Sequence, residues 1–130
     1  MPARATRRTS AAFAVGLAAA LLVASCGDAP PTAPSTGSAT ITFSATGITP
    51  TEVRIPAGGR VTFVNNDTRS HDVSSDPITV HTDCPPINAV GTVTPGQSRN
   101  TGALNVVRTC GFHDHTNETD LKWRGRIVVE

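Results

Sequence analysis

Short segments of alternating polar and apolar residues dominate the chain from residue 40 onward. Each puts β-branched or aromatic residues at every second position, the pattern of half-buried strands. The segments are Thr40–Ser44, Glu52–Ile55, Arg60–Asn65, His71–Ser74, Leu104–Thr109 and Arg124–Val129. Gly- and Pro-containing turns separate most of them, and none has a helical period. The pattern predicts an all-β fold, a small Greek-key sandwich or barrel of about six to eight strands.

One long segment breaks this pattern. Ser75–Val90 contains three prolines, which exclude a central strand or a helix. It also holds His81 and Cys84. An irregular segment of this length in a compact domain usually has a functional or covalent reason to be ordered. We interpret His81 as a loop residue and leave its role open.

The N-terminal residues have the features of an export signal. Three arginines precede an apolar run over residues 11–24, which is too short to span a bilayer comfortably. Val23-Ala-Ser-Cys26 follows and resembles a bacterial lipobox, although an ordinary secretory cleavage site remains the alternative. We therefore expect residues 1–25 to be removed and Cys26 to be acylated. Residues 26–38 are rich in Pro, Ser, Thr and Ala and are predicted to tether a domain over residues 39–130.

The charge of the mature chain excludes one large class of partner. Without residues 1–25 the chain has eight basic and ten acidic residues, a formal net charge of −2. It has no basic patch of the kind that nucleic-acid binding requires. We expect an exported monomer, anchored to a membrane by lipid and facing the periplasm or the cell surface, that does not bind nucleic acid.

Candidate metal ligands are concentrated near the C-terminus. Cys110, His113 and His115 fall within six residues of one another, and His71 lies upstream at the start of a predicted strand. Thiolate and imidazole together select copper or zinc, and one Cys with two His is the equatorial set of blue-copper sites. The sequence therefore predicts a metal site in a loop that follows the strand ending at Thr109.

Cys84 offers Cys110 a second role. In an exported protein two cysteines first suggest a disulfide. Closing this loop of 27 residues would stabilise the domain by about 3 to 3.5 kcal/mol in the chain-entropy model. We favour ligation and expect two unpaired thiols, because a disulfide does not explain the closely following histidines. If the disulfide does form, copper could still bind through histidines alone.

Taken together, these segments resemble a known family. Glu52–Asp67 followed by His71-Asp-Val73, the Cys110-Gly-Phe-His113 motif and Arg124–Val129 are similar, in order and spacing, to the corresponding parts of cupredoxins. The resemblance implies one copper ion held by His71, the Cys110 thiolate and His113. His115 is a further candidate ligand.

The chain departs from the family at the axial ligand. A Met usually precedes the residue-Gly pair that opens the last strand, whereas this chain has Trp123 there. Three arrangements are open. Leu121 or Trp123 caps a three-coordinate site, Glu118 supplies a fourth bond, or His115 replaces one of the ligands.

The resemblance implies an electron carrier rather than an enzyme. We expect single-electron transfer to a redox partner protein in the cell envelope. One alternative is a copper-binding or copper-handling lipoprotein without electron transfer. Another is a metal-free β-sandwich joined by a Cys84–Cys110 disulfide.

Overall fold

The computed structural model describes residues 37–130. The predicted signal peptide, the acylation of Cys26 and nearly all of the tether lie outside the described residues. The described elements are nine strands and three short 3₁₀ turns. The strands are β1 (Ser38–Ser44), β2 (Gly47–Thr49), β3 (Glu52–Ile55), β4 (Arg60–Asn65), β5 (His71–Ser75), β6 (Gly91–Val93), β7 (Ser98–Asn100), β8 (Arg108–Asp114) and β9 (Arg124–Val129), and the turns span Pro85–Ala89, His115–Asn117 and Leu121–Trp123. Within residues 37–130, no helix is long and apolar enough to cross a bilayer.

The strands form two mixed sheets. One has the order β2-β1-β4-β7 and the other β3-β9-β8-β5-β6. Two pairs, β1 with β4 and β3 with β9, are parallel, and the other pairs are antiparallel. The prediction of a small all-β fold is confirmed, with nine strands instead of six to eight.

Alternation along the strands builds one core between the sheets. In β4, for example, Val61 and Phe63 are fully buried, whereas Thr62 and Val64 are partly exposed. Phe63 meets Phe112 of β8 edge to face, with ring centroids 5.1 Å apart. The two sheets therefore pack with their apolar faces together, and the outer face of β8 points away from this core.

The main difference from the predicted strands concerns β8. The sequence pattern placed a strand at Leu104–Thr109 and a loop from Cys110 onward. In the structure the strand runs from Arg108 to Asp114, because β9 pairs with it from Arg108 through His113. β2, β6 and β7 also form where turns or polar connections were predicted.

Candidate metal centre

β8 presents its side chains alternately to the two faces of its sheet, and this separates the predicted ligands. Cys110, Phe112 and Asp114 are buried on the core side. Gly111 and His113 lie on the opposite side, where both contact Asp76. Because strand residues alternate with a period of two, Cys110 and His113 cannot bind the same ion from this strand.

Cys110 forms a disulfide with Cys84, so the expectation of two unpaired thiols is wrong. The two Cα atoms are 5.7 Å apart. A sulfur in a disulfide has no thiolate to offer a metal, and the prediction of Cys110 as a ligand is corrected accordingly. The bond joins the long irregular segment to β8, which gives that segment the covalent reason for order that its length suggested.

His71 is also held away from the predicted site. Its ring is fully buried, stacked on Phe43 at 4.3 Å between centroids and 4.5 Å from the ring of Trp123. Nδ1 lies 2.8 Å from Asp114 Oδ2, and Nε2 lies 3.1 Å from Asp67 Oδ2. Both ring nitrogens therefore face carboxylates inside the core rather than the histidines near the C-terminus. In this arrangement His71 joins Asp67 and Asp114 within the fold.

Asp114 is the centre of this buried network. Burial by itself would raise the pKa of Asp114, but hydrogen bonds from four surrounding groups outweigh it and lower the pKa to about 2. The donors are the side chains of His71, Thr116 and Asn117 and the backbone N–H of Asp72. The carboxylate is therefore charged and fully engaged inside the fold.

Three other imidazoles converge on the outer side of β8. His81, His113 and His115, here called the histidine centre, each offer a ring nitrogen within 4.8 Å of the others. His113 is fully buried, His81 is partly buried, and the side chain of His115 is 48% exposed. The structure thus brings together the predicted residues His113 and His115, adds His81, and does not include His71 or Cys110.

Each ring of the histidine centre has an oxygen beside its Nδ1 atom. For His113 this is Asp76 Oδ1 at 2.7 Å, and for His81 it is the Ser75 carbonyl at 3.2 Å. For His115 it is Glu118 Oε2 at 3.4 Å. An Nδ1–H that donates to oxygen fixes the tautomer and leaves Nε2 as a metal-binding lone pair. The rings of His113 and His81 are therefore arranged to bind through Nε2, and Glu118 lies on the Nδ1 side of His115.

The Nε2 atom of His113 is an independent indication of a metal site. Among the described residues it is the one buried side-chain nitrogen or oxygen without a hydrogen-bond partner. A buried polar atom without a partner costs about 1 to 3 kcal/mol, and a metal ion would remove that cost. Imidazole is a common ligand of copper and of zinc, so the residues present fit the copper ion that the cupredoxin resemblance implies.

Asp76 reaches His113 because residue 111 is a glycine. A Cβ atom at Gly111 would lie 2.3 Å from Asp76 Oδ2, closer than two such atoms can approach. The backbone N–H of Asp76 donates to the Gly111 carbonyl at 3.0 Å, and Arg124 lies 3.5 Å from Asp76 Oδ2. The carboxylate is thus held across the strand between His113 and Arg124.

The sequence contained a signal for His81 that our interpretation missed. His81-x-x-Cys84 and Cys110-x-x-His113 have mirrored spacings, so a bond between the cysteines brings the two histidines to one place. Asn88 completes the arrangement by accepting from the Ser75 N–H at 2.8 Å and donating to the His81 carbonyl at 2.9 Å.

Comparison with known proteins identifies the fold. A family model described as a cupredoxin-like domain matches residues 13–101, which end before β8. No curated protein sequence matches the chain. Similar solved structures include the purple cupredoxin from Nitrosopumilus maritimus, with 16% identity and a TM-score of 0.55 over 71% of this chain and 99% of that one. Amicyanin from Paracoccus versutus has 19% identity and a TM-score of 0.56 over 79% and 86% of the two chains. Plastocyanin from Dryopteris crassirhizoma has 15% identity and a TM-score of 0.55 over 70% of this chain and 99% of that one.

At these identities the solved structures show the fold and leave the ligand set open. The two-sheet architecture agrees with the matched sequence model, which covers more than half of the chain. The protein belongs to the family of cupredoxin-like domains.

Proposed function

We propose that this domain binds one copper ion through His81, His113 and His115 and exchanges single electrons with a partner protein. The observation that carries the proposal is the convergence of three imidazoles whose Nδ1 atoms all face oxygens. Copper rather than another metal is proposed because of the family to which the chain belongs. When bound, copper would supply the one-electron couple, and the chain would supply a fixed set of nitrogens.

The anchoring of the rings supports a redox role. His113 lies on a paired strand, and the Cys84–Cys110 bond ties the His81 segment to the same strand. Ligands that move little between two oxidation states keep electron transfer from waiting on rearrangement. The exposed edge of His115 would give a partner protein access to the centre.

The test begins with copper stoichiometry. We expect the purified domain to bind one Cu(II), and His113→Ala to lower its affinity at least about 100-fold, because loss of a ligand should cost no less than loss of its outer partner. His71→Gln is the control, since it removes the remaining histidine of the chain. Folded His71→Gln protein should still bind one equivalent. Loss of copper in this control, with retention in His113→Ala, would transfer the site to the His71 end.

The disulfide favours a second candidate, a copper-binding or copper-handling domain without electron transfer. With Cys84 and Cys110 joined, residues 37–130 offer no thiolate to produce an intense visible copper band, so colour cannot separate the two functions. Voltammetry of the copper-loaded domain can. A reversible one-electron wave with copper retained in both states supports electron transfer, and release of copper on reduction supports copper handling.

We also propose that the domain is a lipoprotein of the cell envelope, attached as a monomer through acylated Cys26 and a tether over residues 26–38. The arginine-rich start, the apolar run and the Val23-Ala-Ser-Cys26 sequence support this proposal. Mass spectrometry of protein from the membrane fraction tests it. Soluble protein with an unmodified Cys26 would contradict the proposed lipid anchor, and with it the proposed partner in the cell envelope.

A further inference from the structure

The histidine centre has three protein ligands where a closed metal site has four. We propose that the bound copper keeps a coordination position open for a small anionic ligand from solution. The inference rests on the proposed function, since it needs copper in the histidine centre. It adds a binding activity that a coordinatively closed electron carrier lacks.

The number of ligands is the first argument. Among residues 37–130, His81, His113 and His115 form the group of ligating side chains, and no Cys, Asp or Glu completes it. The only Met of the chain is Met1, so a thioether from the domain is excluded. Zinc sites with four protein ligands are closed, whereas catalytic zinc sites with three keep a position for water or substrate. The same count of three ligands leaves a position open on copper.

The positions of the nearby carboxylates are the second argument. Asp76 contacts Nδ1 of His113 and also Arg124, and Glu118 lies beside Nδ1 of His115. Each carboxylate is therefore on the side of its ring away from the Nε2 atom. Both would support a ring rather than bind the ion themselves.

Exposure is the third argument. An ion bound by both His113 and His115 lies between a ring with no exposed surface and one that is 48% exposed. Solvent and small solutes therefore have a path to it from the His115 side. Imidazoles that keep their Nδ1–H protons are neutral ligands, so the positive charge of Cu(II) is not cancelled by its ligands. A small anion with one donor atom has the chemistry to occupy this position.

Azide is a suitable probe because it is small and anionic and gives a charge-transfer band when it binds Cu(II). Protein loaded with one Cu(II) is titrated with azide and followed by absorption and by electron paramagnetic resonance. The controls are metal-free protein and the filtrate of the loaded protein, which reports any copper that azide extracts. Asp83→Asn protein serves as a matched variant, since this exposed carboxylate of the same segment contacts Arg108 and no imidazole.

We expect a new band that saturates at one azide per copper, a changed copper resonance, no copper in the filtrate, and the same response in Asp83→Asn. Unchanged spectra in excess azide would overturn the inference, and so would a response that comes only from extracted copper. If the protein fails to bind copper before azide is added, the proposed function itself fails. The two failures are therefore distinguishable.

Discussion

Replacing Asp76 with asparagine tests whether the outer side of β8 is built for a metal. The carboxylate accepts from His113 Nδ1 at 2.7 Å, a short, charge-assisted hydrogen bond. The Asp76→Asn substitution keeps the size of the side chain but removes its charge. Loss of such an outer partner typically lowers metal affinity about 10- to 100-fold, which is about 1.4 to 2.7 kcal/mol.

The assay is a chelator competition with Cu(II), run on the parent, on Asp76→Asn and on Asp83→Asn. The control makes the same chemical change in the same segment, but Asp83 pairs with Arg108 and touches no imidazole. Circular dichroism checks that all three proteins are folded. Equal affinities for the two variants would refute the reasoning, because Asp76 would then act on the fold or not at all.

Three further predictions follow from the same region. Gly111→Ala should weaken copper binding in the same direction as Asp76→Asn, because the added Cβ displaces the carboxylate; chelator competition measures it, and parent-like affinity would contradict the clash. Denatured but unreduced protein lacking Cys26 should show no free thiols, and replacing Cys84 and Cys110 with alanine should lower unfolding free energy by about 3.5 kcal/mol in urea titrations. The pKa of Asp114 is about 2 when folded and about 3.9 when unfolded. The ionised carboxylate therefore adds on the order of 2 kcal/mol to the free energy of unfolding above about pH 4, and this contribution is lost as the pH falls through 2. Melting temperatures of metal-free protein between these pH values test this, and an Asp114→Asn variant should lose part of the pH dependence.

Local sequence pattern predicted much of the fold. Alternation located β1, β3, β4 and β9 to within two residues, because these strands bury every second side chain. It was less informative for β7, whose Ser98–Asn100 residues are all exposed. That strand forms through backbone pairing with β4, and such pairing leaves no hydrophobic signature.

The candidate site was harder because two of its determinants are not local. The motif Cys110-Gly-Phe-His113 was predicted to lie in a loop, yet it belongs to β8, where Gly111 is required by the approach of Asp76. Cys110, Phe112 and Asp114 share the core side of β8 at the two-residue period of a strand. In the sequence this pattern is weak, because the charged Asp114 does not look like a buried residue. The position of His81 depends on the path of Ser75–Val90, which a distant cysteine and several loop hydrogen bonds fix.

Because of the Cys84–Cys110 bond, assembly of the histidine centre depends on the redox conditions in which the chain folds. In a reducing cytoplasm thiols stay reduced, so a chain folding there would present His113 on its strand without the covalent link that holds the His81 segment beside it. Under the proposed function, oxidation of the cysteines would then come before metal loading. Protein produced in a reducing host would for the same reason have Cys84 and Cys110 as thiols and hold little copper, and it would gain its binding capacity on oxidative refolding.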